Sequence, residues 1–418
     1  EKTEMSLEQI NKFYAFSKES NTIVILMDAF QGNFFADIIA KHPEIKQQLS
    51  GFVYYPNTLS HGSHTWLTIS AIAGGAEFQS QLIPKRDDYK KLKVESQSLP
   101  YVPKNLAYLK NMAMAEKYQY KYDFYDPKYA ECKIFSIYNE ATCTRDVINE
   151  LEEQESQILS MRKAQYNSNI ETAKFFSQLS FLLSLPHFTK VRILSLLGQY
   201  PMLAYQRVVS NYSQLHNMSD FSNLKSNKKT FKFIHNSLTH TPWMIDNNCN
   251  VAYKVFNGYQ GSFNAGYCTI KFLNNFFIKL KNLGIYNKTK IIIVSDHGAF
   301  YGSTKMNTKK FQISEGSASA LMLVKDFNQS GDLKTSMQFL SNIDTYGIAL
   351  SGVSEGVEVK LDKIKTPEEN RSLIFIKENY PLQSYNIVEA FRIRNNIFDE
   401  KNWQEVNGEQ IDISPTEN

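Results

Sequence analysis

An α/β fold with a largely parallel sheet is the class this sequence predicts, on three observations. Residues 22–27 (TIVILM) and 290–295 (KIIIVS) are continuous β-branched and apolar runs, the pattern of strands buried on both faces. Helical periodicity fills the stretches between strand candidates, so the two element types alternate along the chain. The chain has 418 residues, 42% hydrophobic and 21% charged, enough for a large core and contrary to disorder for its bulk.

Taken in order, residues 1–20 are polar with a weak helical pattern (Leu7, Ile10, Phe13, Tyr14, Phe16) and read as a linker into the first strand. Residues 21–355 form the main domain, with further strand candidates at 51–55, 118–125, 230–235 and 318–324. The clearest helix is 265–283, apolar at Ile270, Phe272, Leu273, Phe276, Phe277 and Leu280, with Gly284 just past its end. Residues 145–212 read as a helical insertion, broken by Pro186 and Pro201. A lid or membrane-facing platform beside the site, and an ordinary insertion covering the sheet, are both open readings of it. Residues 356–418 read as a small C-terminal β extension in which SLIFIKENY and SYNIVEAFRIR are two antiparallel strands.

Composition narrows the function. The net charge is +4, and the basic clusters are short: Lys85, Arg86, Lys90, Lys91 and Lys93 are interrupted by Asp87 and Asp88. No concentrated basic stripe is present, so no nucleic-acid partner is expected. Tyr (24) and Phe (28) are abundant, which fits an aromatic core and equally a protein that handles sugars or lipid head groups. The four cysteines fall into two local pairs, Cys132 with Cys143 and Cys249 with Cys268, without metal-type spacing. Two disulfides and an oxidising compartment is one reading, four buried thiols the other. No run of apolar residues is long enough to span a bilayer, so any membrane anchor is expected on a segment absent from this chain.

The chemistry-bearing residues follow the two strongest strands. Asp28 comes directly after the first, at the strand end where ligands collect in α/β sheets. Asp296, His297 and Gly298 come directly after the second, and past a strand end a carboxylate and an imidazole can converge on one ion, Zn²⁺ or Mn²⁺. Between them lies NTLSHGSHTWLTISAIAGG (57–75), where Gly62 allows a turn and Thr65 opens a helix-like run. Thr65 is either an N-cap or a nucleophile held where helix N–H groups stabilise an anion. A metal on its oxygen would favour the alkoxide. His240, in THTPW, can contact a phosphate or protonate a leaving group, or be a loop histidine without a role. His235 reads as a buried strand residue.

The order of these residues resembles the sulfatase-like phosphotransferases of the alkaline-phosphatase superfamily, which include lipid A phosphoethanolamine transferases and lipoteichoic acid (phosphoglycerol) synthases. The stretches that carry the resemblance are VILMDAF, GSHTWLTIS, THTPW and VSDHG, spread over residues 21–350. It implies an alkaline-phosphatase-like sheet sandwiched by helices, with residues 21–355 as a sulfatase-like catalytic domain and residues 1–20 as a juxtamembrane linker. It also implies one divalent metal held by Asp28, Thr65, Asp296 and His297, with Thr65 as nucleophile and His240 as phosphate contact or general acid. Two departures stand out: Asp28 replaces the Glu usual in phosphoethanolamine transferases, and no histidine follows Asp296-His297-Gly298 within residues 299–323. His64, Lys305 and Lys309 are the candidate substrate contacts in its place. The C/S-x-P-x-R signature of true sulfatases is missing.

The implied reaction moves a phospholipid head group, phosphoethanolamine or phosphoglycerol, through a phosphothreonine to a surface glycan or lipid. The implied location is the periplasmic or extracytoplasmic face of a bacterial inner membrane. Hydrolysis of the same bond, and a binding domain that has lost catalysis, are the alternatives.

Overall fold

The computed structural model describes residues 11–79, 107–125 apart from 109, 112, 115 and 116, 141–143, 201–299, 316–351, 371–377 and 389–406. The N-terminal elements are β1 (Ala15–Ser17), β2 (Asn21–Met27), α1 (Gly32–Lys41), β3 (Phe52–Tyr54), β4 (Thr58–Leu59) and α2 (Thr65–Gly74). The middle supplies β5 (Lys121–Tyr125), β6 (Ala141–Cys143), α3 (Pro201–Asp220), β7 (Asn223–Ser226), β8 (Thr230–Asn236), β9 (Trp243–Ile245), β10 (Val251–Phe256) and α4 (Gly258–Asn282). Then come β11 (Thr289–Val294), β12 (Met322–Lys325), β13 (Lys334–Thr335), β14 (Leu340–Ser341), α5 (Thr345–Leu350), β15 (Ser372–Lys377), β16 (Glu389–Arg394) and β17 (Trp403–Val406).

Eight strands form the main sheet in the order β13-β3-β12-β11-β2-β8-β5-β6. Every pairing is parallel except those of β12, which runs antiparallel to both β3 and β11. The expected mostly parallel α/β sheet is therefore present. The two strands with continuous apolar runs, β2 and β11, are neighbours at its centre, paired from Asn21↔Thr289 to Leu26↔Val294.

Strand alternation sorts their side chains onto two layers. Ile23, Ile25, Met27, Ile291 and Ile293 join one buried cluster with Ile270, Leu273, Phe276 and Phe277 of α4. Val24, Leu26, Ile292 and Val294 join the other, with Ile69 and Ile72 of α2 and Ile348 of α5. Burying an aliphatic side chain of this size stabilises by about 1.5–3 kcal/mol. A central strand filled on both faces is correspondingly hard to displace.

Several expectations shift. Residues 13–16, read as linker, are buried: β1 pairs with β7, and Phe13, Tyr14 and Phe16 pack into the α4 layer. Their aromatic area outweighs the polar character of the segment. α4 begins at Gly258 rather than 265, because the small polar residues before 265 lack an apolar period yet contain no proline to stop a helix. The strand expected at 318–324 starts at Met322, since Ser319 and Ala320 instead bridge Leu59 and Gln31. α3 begins with Pro201 at its first helical position and runs to Asp220, past the expected 212. Residues 145–200 of the expected insertion lie outside the described residues.

The two C-terminal strands pair antiparallel as read, and β17 adds a third to their sheet. Its Phe375, Phe391 and Trp403 pack on Leu59, Ala318 and Phe339. The Cys249–Cys268 disulfide forms as expected, tying the β9–β10 hairpin to α4. Cys132 lies outside the described residues, and so does the side chain of Cys143. Among the described residues no helix is long and apolar enough to cross a membrane.

Candidate metal centre and active site

Parallel pairing brings the carboxyl ends of three strands together. β2 ends at Met27 opposite Asn236 of β8, and Leu26 lies opposite Val294 of β11. The residues that follow, Asp28, Ser237, Asp296 and His297, therefore emerge on one rim of the sheet. Ala29 turns the chain at φ 59, and its amide donates to Asp296 Oδ1 at 2.9 Å. The His297 amide donates to the same oxygen, also at 2.9 Å. Gly298 has no room for a side chain, because a Cβ there would lie 1.8 Å from the Gly316 carbonyl oxygen.

Asp28, Asp296 and His297 each offer a ligand atom within 4.8 Å of the others, and all three are buried, at 1%, 0% and 2% exposure. His297 Nδ1 lies 2.7 Å from the Gly298 carbonyl oxygen, which makes it the protonated nitrogen and leaves the Nε2 lone pair for a ligand. Nε2 lies 3.7 Å from Asp28 Oδ1 and 3.5 Å from Asp296 Oδ2. Those two oxygens have no hydrogen-bond partner among the described residues. Two carboxylate oxygens and an imidazole nitrogen, buried and aimed at one point, fit a divalent cation of the Zn²⁺ or Mn²⁺ kind. Without one, both oxygens carry the cost of unsatisfied buried charge.

The second part of the site is the turn at residues 60–65. Thr65 is the first residue of α2, and His64 occupies the cap position without a side-chain capping bond. Thr65 is thus the first helical residue and not the N-cap. Gly62 is required here by close approach, since a Cβ would sit 2.6 Å from Leu67 Cβ. The turn is held from two sides. Asn342 accepts from the His61 amide at 3.0 Å and donates to the Asp296 carbonyl at 2.7 Å. On the other side β15 latches on: the Ser63 amide donates to the Ile376 carbonyl and the Ile376 amide to the His61 carbonyl, both at 2.9 Å. The His64 ring, stacked on Trp66, lies 6.2 Å from the His297 ring.

Two further histidines stand beside this group. The half-buried His240 has its ring 6.4 Å from that of His297, and His235 Nε2 is 3.7 Å from Asp28 Oδ2. Ser237 donates to the same Asp28 oxygen at 3.3 Å. Burial pushes the Asp28 carboxyl up, but His240, His235 and His297 outweigh it and hold the group well below the usual carboxylate range. Burial, with His297 and His240 adding, pushes the His64 imidazole down to about 4. His240 is also pushed down, chiefly by burial, against the pull of Asp28.

With this arrangement established, comparison with known proteins adds context. No protein-family model matches the chain, and no curated protein does. In structure the chain is similar to proteins of the alkaline phosphatase superfamily. A superfamily protein from Vibrio parahaemolyticus matches 97% of this chain and 91% of its own, at 11% identity and a TM-score of 0.45. The lipoteichoic acid synthase LtaP from Listeria monocytogenes matches over the same shares, 97% and 91%, at 11% identity and a TM-score of 0.44. A phosphonate monoester hydrolase of Agrobacterium radiobacter matches 93% of this chain and 88% of its own, at 10% identity and a TM-score of 0.48.

Of the residues singled out in the sequence, Asp28, Asp296, His297, His240 and His64 meet in one place, with Thr65 at the start of the adjoining helix. Lys305 and Lys309 lie outside the described residues. His235 is the buried strand residue it was read as, though its place beside Asp28 was not foreseen, and sequence reading passed over Ser237, Asn342 and Arg207. His235 and Ser237 had a signal, since both stand at the end of a strand that neighbours the one leading to Asp28. Asn342 and Arg207 had none, because their partners are remote in sequence.

Proposed function

We propose that this chain is a metal-dependent phosphotransferase. It moves a phospholipid-derived head group, phosphoethanolamine or phosphoglycerol, through a phosphothreonine at Thr65 to a cell-envelope glycan or lipid. The observation that carries this reading is the convergence of Asp28, Asp296 and His297 on one buried point beside the helix start at Thr65. Asp28 Oδ1, Asp296 Oδ2, His297 Nε2 and the Thr65 hydroxyl would hold the ion. A bound divalent cation supplies positive charge that lowers the proton affinity of a nearby hydroxyl and neutralises phosphoryl charge.

The chain's own groups do the rest. Asn342 and Ile376 fix the turn, so Thr65 is presented rigidly. The free N–H groups at the start of α2 favour an anion there. Thr65 Oγ1 gives up its proton to solvent and bonds to phosphorus as the bond from phosphorus to the glyceride oxygen breaks. His240 is the group assigned to relay a proton from solvent to that oxygen. An acceptor hydroxyl then displaces Thr65, its oxygen bonding to phosphorus and its proton passing to the threonine oxygen. The Cys249–Cys268 disulfide supports an extracytoplasmic setting.

The test is intact mass spectrometry of metal-loaded protein exposed to mixed phospholipids. A mass increment mapping to Thr65, absent from Thr65→Ala, is expected and would name the head group. Release of that group to water when no acceptor is present would identify a hydrolase. A fully metallated protein with no adduct and no turnover of any phosphodiester would end the proposal.

A further inference from the structure

The end of β8 and the residues after it wrap Asp28. The Asp28 amide donates to the Asn236 carbonyl at 2.9 Å, and the Thr239 hydroxyl donates to the Asp28 carbonyl at 2.7 Å. On the carboxylate, Ser237 Oγ donates to Oδ2 at 3.3 Å, and His235 Nε2 stands at ion-pair distance from the same oxygen, 3.7 Å. A ring lone pair aimed at a carboxylate would be repelled, so Nε2 is the nitrogen that carries hydrogen. Both residues are buried, so water does little to screen either contact. Helix α3 fixes this stretch from behind. Asn211 Oδ1 accepts from the Ser237 amide at 2.6 Å, and Asn236 Nδ2 donates to the Asn211 carbonyl at 2.8 Å. One turn away, Arg207 Nη2 donates to the Thr241 carbonyl and lies 3.5 Å from His240 Nδ1.

The two carboxylates of the centre are held alike but by different means. Asp296 has Oδ1 engaged and Oδ2 turned toward His297 Nε2, while Asp28 has Oδ2 engaged and Oδ1 turned toward the same nitrogen. Backbone amides engage Asp296, and no side chain sets them. Side chains engage Asp28. A carboxylate with one oxygen so engaged offers a cation the other and acts as a monodentate ligand. Zn²⁺ is satisfied by few ligands of that kind, whereas Ca²⁺ gathers more oxygens and commonly takes both from one carboxylate.

We propose that His235 and Ser237 are positioning residues of the metal centre. From the end of β8 they hold Asp28 Oδ2, confine the carboxylate to one ligating oxygen, and so set the centre's preference for Zn²⁺ over Ca²⁺. This rests on the metal-centre part of the reading above and not on phosphoryl transfer.

The test is calorimetric titration of the full chain, stripped by chelator, with Zn²⁺ and with Ca²⁺, each variant being checked for folding by circular dichroism. Zn²⁺ affinity is expected to fall roughly 10- to 100-fold in His235→Leu and about tenfold in Ser237→Ala, the range for groups that orient a metal ligand. Ca²⁺ affinity is expected to stay equal or rise, as the released carboxylate turns both oxygens to the ion. The ratio of the two affinities is the readout that a general loosening of the fold would not move, since loosening weakens both ions together. His235→Gln and Ser237→Thr keep a donor and are expected to recover most of the ratio. If His235→Leu does not fold, Ser237→Ala, which deletes a single oxygen atom, decides. An unchanged Zn²⁺-to-Ca²⁺ ratio in Ser237→Ala and in any folded His235→Leu would overturn the assignment and leave the phosphotransferase reading standing. An unmutated protein that binds neither ion removes the metal centre and both readings with it. Variants that shift the ratio, in a protein that turns over no phosphodiester, keep this inference and remove the function proposed above.

Discussion

Asn342 Nδ2 donates to the carbonyl oxygen of Asp296 across 2.7 Å, while Asn342 Oδ1 accepts from the His61 amide at 3.0 Å. One amide side chain thus sets the spacing between the metal-site strand end and the turn that presents Thr65. It is fully buried, just ahead of Asp344, which Arg371 grips through both guanidinium nitrogens at 2.6 and 2.8 Å.

Replacing Asn342 by Ala removes the acceptor of the buried His61 amide and one of the two donors to the Asp296 carbonyl, which keeps the Ser60 hydroxyl at 2.6 Å. The expected cost is about 2–3 kcal/mol of stability, measured by urea unfolding. Metal affinity is expected to weaken roughly tenfold, as for other supporting groups behind a metal site. Unchanged metal binding in a stable Asn342→Ala protein would separate the clamp from the site.

The Asp28 and Asp296 oxygens that lack a hydrogen-bond partner among the described residues predict a change of sign. In metal-free protein Asp296→Asn removes one of two like charges and is expected to leave the melting temperature equal or higher. With Zn²⁺ or Mn²⁺ at about 100 times its dissociation constant, the unmutated protein gains about 2.7 kcal/mol and the variant little. Thermal melts with and without chelator check both arms. No shift of the unmutated protein with either ion would count against a metal centre.

Lys232 gives a pH prediction away from the site. It is buried in β8, with Nζ 2.5 Å from Asp123 Oδ2 and 2.6 Å from the Phe13 carbonyl. Burial nonetheless pushes its ammonium down to about 8, the desolvation outweighing the pull of Asp123. In the unfolded chain a lysine titrates near 10.4, so from about pH 8 to 10 the unfolded state binds more protons and stability rises with pH. Below pH 8 the group is protonated in both states and contributes no slope. Lys325, also pushed to about 8 chiefly by burial, acts in the same direction. Lys232→Met should reduce the slope of unfolding free energy between pH 8 and 9.5, and an unaltered slope would refute the assignment.

The Cys249–Cys268 bridge closes a loop of sequence separation 19. Its loss through Cys249→Ser with Cys268→Ser is expected to destabilise by about 3 kcal/mol, the loop-entropy value for this length. Since the bridge joins β9–β10 to α4 and not to the strand ends, activity at low temperature should persist. Thermal melts and a phosphodiesterase assay at 10 °C check this.

The local residue pattern determined a good deal by itself. Two continuous apolar runs mark the central strands, because only strands covered on both faces tolerate such runs. Asp28 and Asp296-His297-Gly298 follow them directly, so the place of the candidate ligands could be read without coordinates. Gly284 marks the end of α4 for an equally local reason, a positive φ at residue 284.

What the tertiary structure decided is everything that depends on contacts between remote segments. That β2 and β11 are neighbours in matching register, that Asn342 and Ile376 grip the turn before Thr65, and that Arg207 reaches His240 from α3 are pairings across sequence gaps that no periodicity encodes. The aromatic residues 13–16 show the same limit: their segment is locally polar, and only the hydrophobic area offered by α4 turns it into core. Side-chain type and spacing set which chemistry is possible here. The fold set which groups are close enough, and buried enough, for that chemistry to be strong.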